Sequence, residues 1–341
     1  MSFQKIELPG GRGKARINSL YAFAQKILVL KGKTSQKMSS RGWCYFLEGY
    51  NLITKGDFDK LQKAINLCRK YGLLPIDMVA EDPKRQYYGV EEPNTETPEQ
   101  YMRKWLTITR DAGQYYTPDW WDGEEYYIQM MVEKIDLVNM FQPMCEEYHI
   151  PIVNAGGWYD ILERSQAADR FKAAEANGLK PVILYFGDLD PYGMAISDSL
   201  LKGFADIQLG TKWKPTNLEV DRFGLNFEFI EEQELTWIDN LESGSGRDMS
   251  RDTNRIVTDY IDNYGIRKCE ANAIMRDTAR EAGLNLCRST IEKYLGEEVL
   301  ERFNEKRQEI VVQLEIFKEK TGLDKAIQNA INIIDKSTMR S

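Results

Sequence analysis

The stretch at 181–187 (PVILYFG) constrains this chain more than any other, because it is uncharged throughout and is followed at once by Asp188-Leu189-Asp190-Pro191-Tyr192-Gly193. A short apolar run without alternation predicts a strand buried on both faces, the kind found in parallel sheets covered by helices. Its surroundings agree. Strands are predicted at 126–132 and 150–154, and helices at 135–148, 159–177 and 194–204. Strand alternating with helix implies right-handed crossovers and a parallel sheet with helices on both faces. In such sheets chemistry gathers at the carboxyl ends of the strands.

The 341 residues leave room for two or three domains. Residues 16–82 read as short helices (17–30, 36–50 and 58–71), with helical apolar spacing at Leu20, Phe23, Ala24, Ile27 and Leu28 and again at Leu61, Ala64, Ile65 and Cys68. Residues 1–41 carry nine basic side chains against Glu7, a net +8, so the other 300 carry −16 although the whole is only −8. Three short helices behind a basic end suit a winged-helix-like module (1–82) that grips double-stranded DNA through its phosphates. A solvated basic face is the alternative. Prolines 83, 93, 98 and 118 mark a connector (83–124) with one helix near 97–112. The sheet domain is expected at 125–275, with a further strand at 220–230 and a flexible loop at Ser243-Gly244-Ser245-Gly246. A charged helical region (276–341) follows, with 286–318 as one long amphipathic helix.

Composition removes several classes. The five cysteines (44, 68, 145, 269 and 287) contain no Cys-x-x-Cys pair, which argues against a disulfide scaffold or a zinc ribbon. His149 is the single histidine, so metal hydrolases built on several imidazoles are excluded. No apolar run reaches the roughly 18 residues of a membrane span, and no secretory leader opens the sequence. A cytoplasmic, DNA-associated protein is expected. Catalysis must rest on carboxylates, tyrosines and basic groups.

Asp188 and Asp190, at i and i+2 after a buried strand, both face the crevice, and Pro-Tyr-Gly turns the chain into the next helix. Carboxylates so close repel unless a cation neutralises them, and hard oxygen ligands point to Mg²⁺ or Mn²⁺. Glu133 ends the strand YYIQMMV in an equivalent place, so Glu133, Asp188 and Asp190 form a candidate metal site. An Asp-rich turn capping a helix is the alternative. Trp120-Trp121 suits packing against the sheet better than base stacking, and His149 suits a helix end.

Val132-Glu133-Lys134 before a helix, Gly156-Gly157-Trp158-Tyr159, and YFGDLDPYG together resemble the Toprim domain. The branch they are most similar to is that of the A subunit of topoisomerase VI and the related meiotic double-strand-break transesterase. The likeness covers 126–204 and extends more weakly to Lys268-Cys269-Glu270-Ala271-Asn272-Ala273. It implies metal ligands at Glu133, Asp188 and Asp190. In that family an upstream winged helix carries a tyrosine nucleophile. Ser39-Ser40-Arg41-Gly42-Trp43-Cys44-Tyr45 matches its pattern at Arg41 and Tyr45, while Gly42 and Cys44 depart from it. The resemblance thus implies Mg²⁺-dependent DNA cleavage by Tyr45 with Arg41 beside it, in a homodimer where each tyrosine works beside the other subunit's metal. The chain has no ATPase motif, so any ATPase would be a separate subunit. It looks like a stand-alone relative of the kind plasmids and viruses carry. The residues alone also fit a metal-dependent nuclease or nickase using water, with Tyr45 a core residue, or a non-enzymatic DNA-binding protein.

Overall fold

The structure is a computed structural model that describes residues 5–34, 37–75, 77–79, 93–155, 161–242 and 247–338. The turn at 156–159, the loop at 243–246 and the proline at 83 lie outside the described residues. Helices α1 (Gly13–Lys31), α2 (Ser40–Gly49) and α3 (Phe58–Lys70) open the chain, and α4 (Pro98–Arg110) follows. An alternating series comes next: β1 (Tyr126–Val132), α5 (Ile135–Glu147), β2 (Ile152–Asn154), α6 (Ile161–Ala176) and β3 (Lys180–Phe186). Then come α7 (Pro191–Met194), α8 (Ile196–Asp206), α9 (Gln208–Thr211), β4 (Glu219–Gly224), α10 (Phe227–Glu232) and α11 (Arg255–Tyr264). The chain closes with α12 (Asp277–Leu295), α13 (Val299–Thr321) and α14 (Leu323–Thr338). None of the described helices is long and apolar enough to cross a membrane.

The chain forms two compact units. One joins Met1–Asp82 to Glu124–Leu295, and the other joins Pro83–Gly123 to Gly296–Ser341. In the first, the described strands form a parallel sheet in the order β2-β1-β3-β4. Residues 127–132 of β1 and 181–186 of β3 are all buried, so both faces of the sheet are covered. Phe186 packs between Phe141 of α5 and Phe223 of β4 at 5.3 and 5.2 Å. On the other side of the sheet's aromatic core, Phe171 of α6 meets Phe204 and Trp213. From β1 the chain steps to β2 and then crosses back over β1 to reach β3. The winding therefore reverses between β1 and β3, which makes their carboxyl ends a switch point. Val132 pairs with Phe186, so Glu133 arrives level with Gly187, one residue short of Asp188.

The helical start also has local causes. Ser39 caps α2 by accepting from the Gly42 N–H at 3.0 Å, which sets the helix start at Ser40. Ahead of α1, Ile6 is buried and its N–H donates to the Leu52 carbonyl at 2.9 Å.

Two expected elements come out differently. The strand at 220–230 ends at Gly224, where a Cβ would strike the Phe186 ring at 2.2 Å, and Phe227–Glu232 is helical instead. The helix expected over 286–318 is two helices, α12 and α13, separated at Gly296, whose φ of 78° ends α12. His149 does follow a helix end, with φ 55° just beyond α5.

In the second unit, the Lys318 ammonium reaches the Arg110 carbonyl at 2.5 Å, and Arg103 of α4 pairs with Asp335 of α14 at 2.6 Å. Trp120 is buried there against Phe303, with the Arg307 guanidinium 4.9 Å from its ring. The expected packing of Trp120 on the sheet is thus replaced by packing on α13.

Candidate active site

At the end of β1 the Glu133 carboxylate turns towards β3, where its Oε2 accepts the Asp188 N–H at 2.7 Å. Asp188 is almost wholly buried, and its Oδ1 accepts the Ala271 N–H at 2.7 Å. The Lys134 ammonium donates to the two remaining oxygens, Asp188 Oδ2 at 2.9 Å and Glu133 Oε1 at 3.2 Å. One positive charge thus faces two negative ones. Burial first and the Glu133 charge second push the Asp188 carboxyl up to about 6, against the pull of Lys134 and the Ala271 amide. The Tyr185 phenol is pushed above the usual range by burial and by Glu133 and Asp188.

Asp190 takes another job. Its Oδ1 accepts the Gly193 N–H at 2.6 Å and caps the short helix α7. Its carboxyl is raised by burial and by nearby Asp188. Of the three expected ligands, the structure brings Glu133 and Asp188 together and turns Asp190 into the capping role. Among the described residues, no cluster of three or more His, Cys, Asp or Glu side chains is poised to hold a metal. The Glu133–Asp188 pair nevertheless fits a hard divalent cation. Mg²⁺ commonly takes one or two carboxylates and completes its shell with water and substrate phosphate.

The loop carrying Asp188 is held from below and from the side. Arg222 of β4 donates to the carbonyls of Asp188 (2.9 Å), Gly193 (3.0 Å) and Leu225 (2.7 Å) and to Asn226 Oδ1 (3.1 Å). Gly193 has to be glycine, because a Cβ would come within 2.2 Å of the Asp188 carbonyl. Leu189 and Cys269 exchange backbone hydrogen bonds at 2.9 and 3.0 Å, so residues 268–271 run as a strap along the acid loop.

That strap leads to Tyr45. Its hydroxyl donates to Glu270 Oε2 at 2.7 Å, and Arg41 grips the same carboxylate at 2.8 Å through Nη2 and 3.1 Å through Nε. Tyr45 and Arg41 therefore do meet, through Glu270, in the same chain as Asp188. Burial works against the Glu270 charge, but the Tyr45 hydrogen bond and Arg41 outweigh it and hold the carboxyl below the usual range. Tyr45 is 1% exposed and packs edge-on against Phe58 at 5.0 Å. Burial and Glu270 push its phenol well above the ordinary range, with Arg41 opposing. Cys44 is buried and its thiol is pushed up to about 12 by burial, so it stays protonated. Gly42 has a steric reason, since a Cβ there would lie 2.9 Å from the Asp136 carboxylate. That carboxylate binds the Ser39 N–H and hydroxyl, and it accepts from Asn272 Nδ2 at 3.0 Å.

Lys134 and Glu270 stood inside the motifs without an assigned role, and Arg222 and Asp136 went unmarked. Only Lys134 carried a usable signal, its place beside Glu133. No family model matches this chain, and neither curated proteins nor solved structures yield a match.

Proposed function

We propose that this protein cleaves phosphodiester bonds in double-stranded DNA at the carboxyl ends of β1 and β3, with Glu133 and Asp188 holding Mg²⁺ or Mn²⁺. Asp190 joins as a third acid if its carboxylate leaves the Gly193 amide. The observation that carries this reading is the Glu133–Asp188 pair, Asp188 buried and Glu133 partly so, which stands at the switch point of the sheet with the single Lys134 ammonium donating to both carboxylates. Burying such charge without full compensation costs stability, and active sites are where that cost recurs. When bound, the cation supplies charge stabilisation at the phosphate oxygens and lowers the pKa of a ligated water. The chain's own groups orient the carboxylates through the Asp188 and Ala271 amides and shape the loop through Arg222. The exposed Arg12, which precedes α1, and Lys14, Arg16 and Lys26 of α1, in a region read as a winged-helix-like module, contact DNA phosphates. A DNA-associated, cytoplasmic place follows from that substrate.

Water is the nucleophile in this reading, because the Tyr45 oxygen is enclosed and already donates to Glu270. One observation favours a second reading, the tyrosine transesterase. At 2.7 Å, Glu270 is in place to take the phenolic proton as the Tyr45 oxygen attacks phosphorus and the 3′ oxygen departs. That route requires Tyr45 to be uncovered, and the homodimer and separate ATPase subunit belong to it alone. Supercoiled plasmid with Mg²⁺ tests both. Cleavage that disappears in Asp188→Asn and persists in Tyr45→Phe supports hydrolysis. A covalent protein–DNA adduct that Tyr45→Phe abolishes supports the transesterase. Intact DNA together with no Mg²⁺ binding sinks the catalytic reading altogether.

A further inference from the structure

The four oxygens of Glu133 and Asp188 divide into two kinds. Glu133 Oε2 and Asp188 Oδ1 accept from backbone amides, those of Asp188 and Ala271, both at 2.7 Å. Those donors belong to the acid loop and its strap, so they stay put while the loop is folded. Glu133 Oε1 and Asp188 Oδ2 accept instead from one side-chain group, the Lys134 ammonium. The amides therefore aim one oxygen of each carboxylate at the same point, and a cation already sits there.

Three features make that cation replaceable. Lys134 has extended backbone (φ −126°, ψ 148°) just before α5, so helical packing does not lock its side chain. The lysine stem is flexible and its head is a compact point charge. A cavity of about 370 Å³ adjoins it, lined by Ser39, Arg41, Asn154 and Asn272 as well as by Lys134 itself, and 29% of the lysine side chain is exposed. A monovalent ammonium leaves the pair one negative charge in excess, whereas a divalent ion balances it.

We infer that Lys134 is a place-holder whose ammonium occupies the cation position between Glu133 and Asp188 until a divalent metal ion displaces it into the adjoining cavity. The inference rests on the metal reading above and adds a competition to it. Metal binding is a swap of cations, and the released lysine is delivered next to Arg41, where a phosphate would meet both.

The test combines calorimetry with lysine acetylation by a soluble N-hydroxysuccinimide ester, read by peptide mass spectrometry on the full-length protein. Titrating Mg²⁺ should raise acetylation of Lys134 several-fold, with the midpoint seen by calorimetry. Lys180, paired with Glu125 at the start of β3, should not respond. Lys134→Met should bind Mg²⁺ at least about tenfold more tightly, since two charge-assisted hydrogen bonds leave the competition. Lys134→Arg keeps the charge and should not reproduce that gain. Mg²⁺ heat with unchanged Lys134 acetylation, or equal or weaker binding by Lys134→Met, overturns the place-holder role and leaves the metal site standing. No heat from the wild type, or undiminished heat in Asp188→Asn, removes the metal reading and this inference together.

Discussion

Two centres share the strap at 268–271, and they are built on opposite principles. At one, Glu133 and Asp188 face a single lysine beside an open cavity, so the charge is under-balanced. At the other, Glu270 is matched by Arg41 and by the proton of Tyr45, and the phenol is shut in. An under-balanced centre beside open space can gain by taking up a cation. A balanced and closed one gains by staying as it is. The proposed chemistry accordingly rests on the acids, while the Tyr45–Glu270–Arg41 group ties α2 to the strap.

The hardest blow to that contrast comes from Asp188→Asn. It should remove Mg²⁺ binding and cut cleavage on the order of a thousandfold, since it deletes charge where the transition state is stabilised. Near-normal cleavage by this variant, measured on plasmid, would erase the distinction between the centres.

Acidity sharpens it next. The folded-state value for Asp188, about 6, lies above the ordinary one of 3.8, so the folded protein holds this proton more tightly than the unfolded chain. The stability Asp188 contributes is full below about pH 4 and is lost as pH rises through 6. A metal competes with that proton. Saturating Mg²⁺ should therefore raise the melting temperature at pH 8, with a stabilisation of about 2.7 kcal/mol at a hundredfold excess over Kd, and do little at pH 4.5. Equal shifts at both values would show that Asp188 is not a ligand.

The tie is tested by stability instead. Glu270→Ala orphans the enclosed Tyr45 hydroxyl and frees half-exposed Arg41, which should cost about 2 kcal/mol. Tyr45→Phe should cost about 1 kcal/mol. Urea melts that place Tyr45→Phe above Glu270→Ala in damage would reverse the assigned roles.

The smallest effect belongs to the basic end. Removing the charges of Arg12, Lys14 and Arg16 should make the slope of log K against log salt shallower, in a DNA-binding titration, by about 0.9 for each phosphate that is no longer neutralised. An unchanged slope would return these residues to plain solvated surface.

The sheet was legible because YYIQMMV and PVILYFG carry no charge, and that property alone demands cover on both faces. Strand-end acids could be read for the same reason. The alternation from Val220 to Ile230 ran past the true end of β4, because nothing local reveals that Phe186 crowds Gly224 or that Arg222 turns back to the Leu225 carbonyl. Charged residues on both sides of Gly296 kept a helical rhythm through a break. At the site, the spacing of Arg41 and Tyr45 is the same for a surface helix as for a buried one, so enclosure of the phenol was not written in it. The capping by Asp190 could be foreseen as an option, but choosing it needed the position of the Gly193 amide. Arg222 and Glu270 act on residues 34 and 225 positions away, across distances no pattern in the chain encodes.

Arg222 grips the acid loop by the main-chain carbonyls of Asp188 and Gly193, and is itself steadied by the Leu225 carbonyl and Asn226 just beyond β4. Every amino acid offers the same carbonyl, so the hold of Arg222 on the Asp188 carbonyl does not depend on the side chain at 188, whereas the turn itself also rests on the Asp190 carboxylate at the Gly193 amide. An engineer could therefore recode position 188 to suit another ion while Arg222 keeps its grip on the loop, provided the Asp190 cap, Gly193 and Arg222 are left alone.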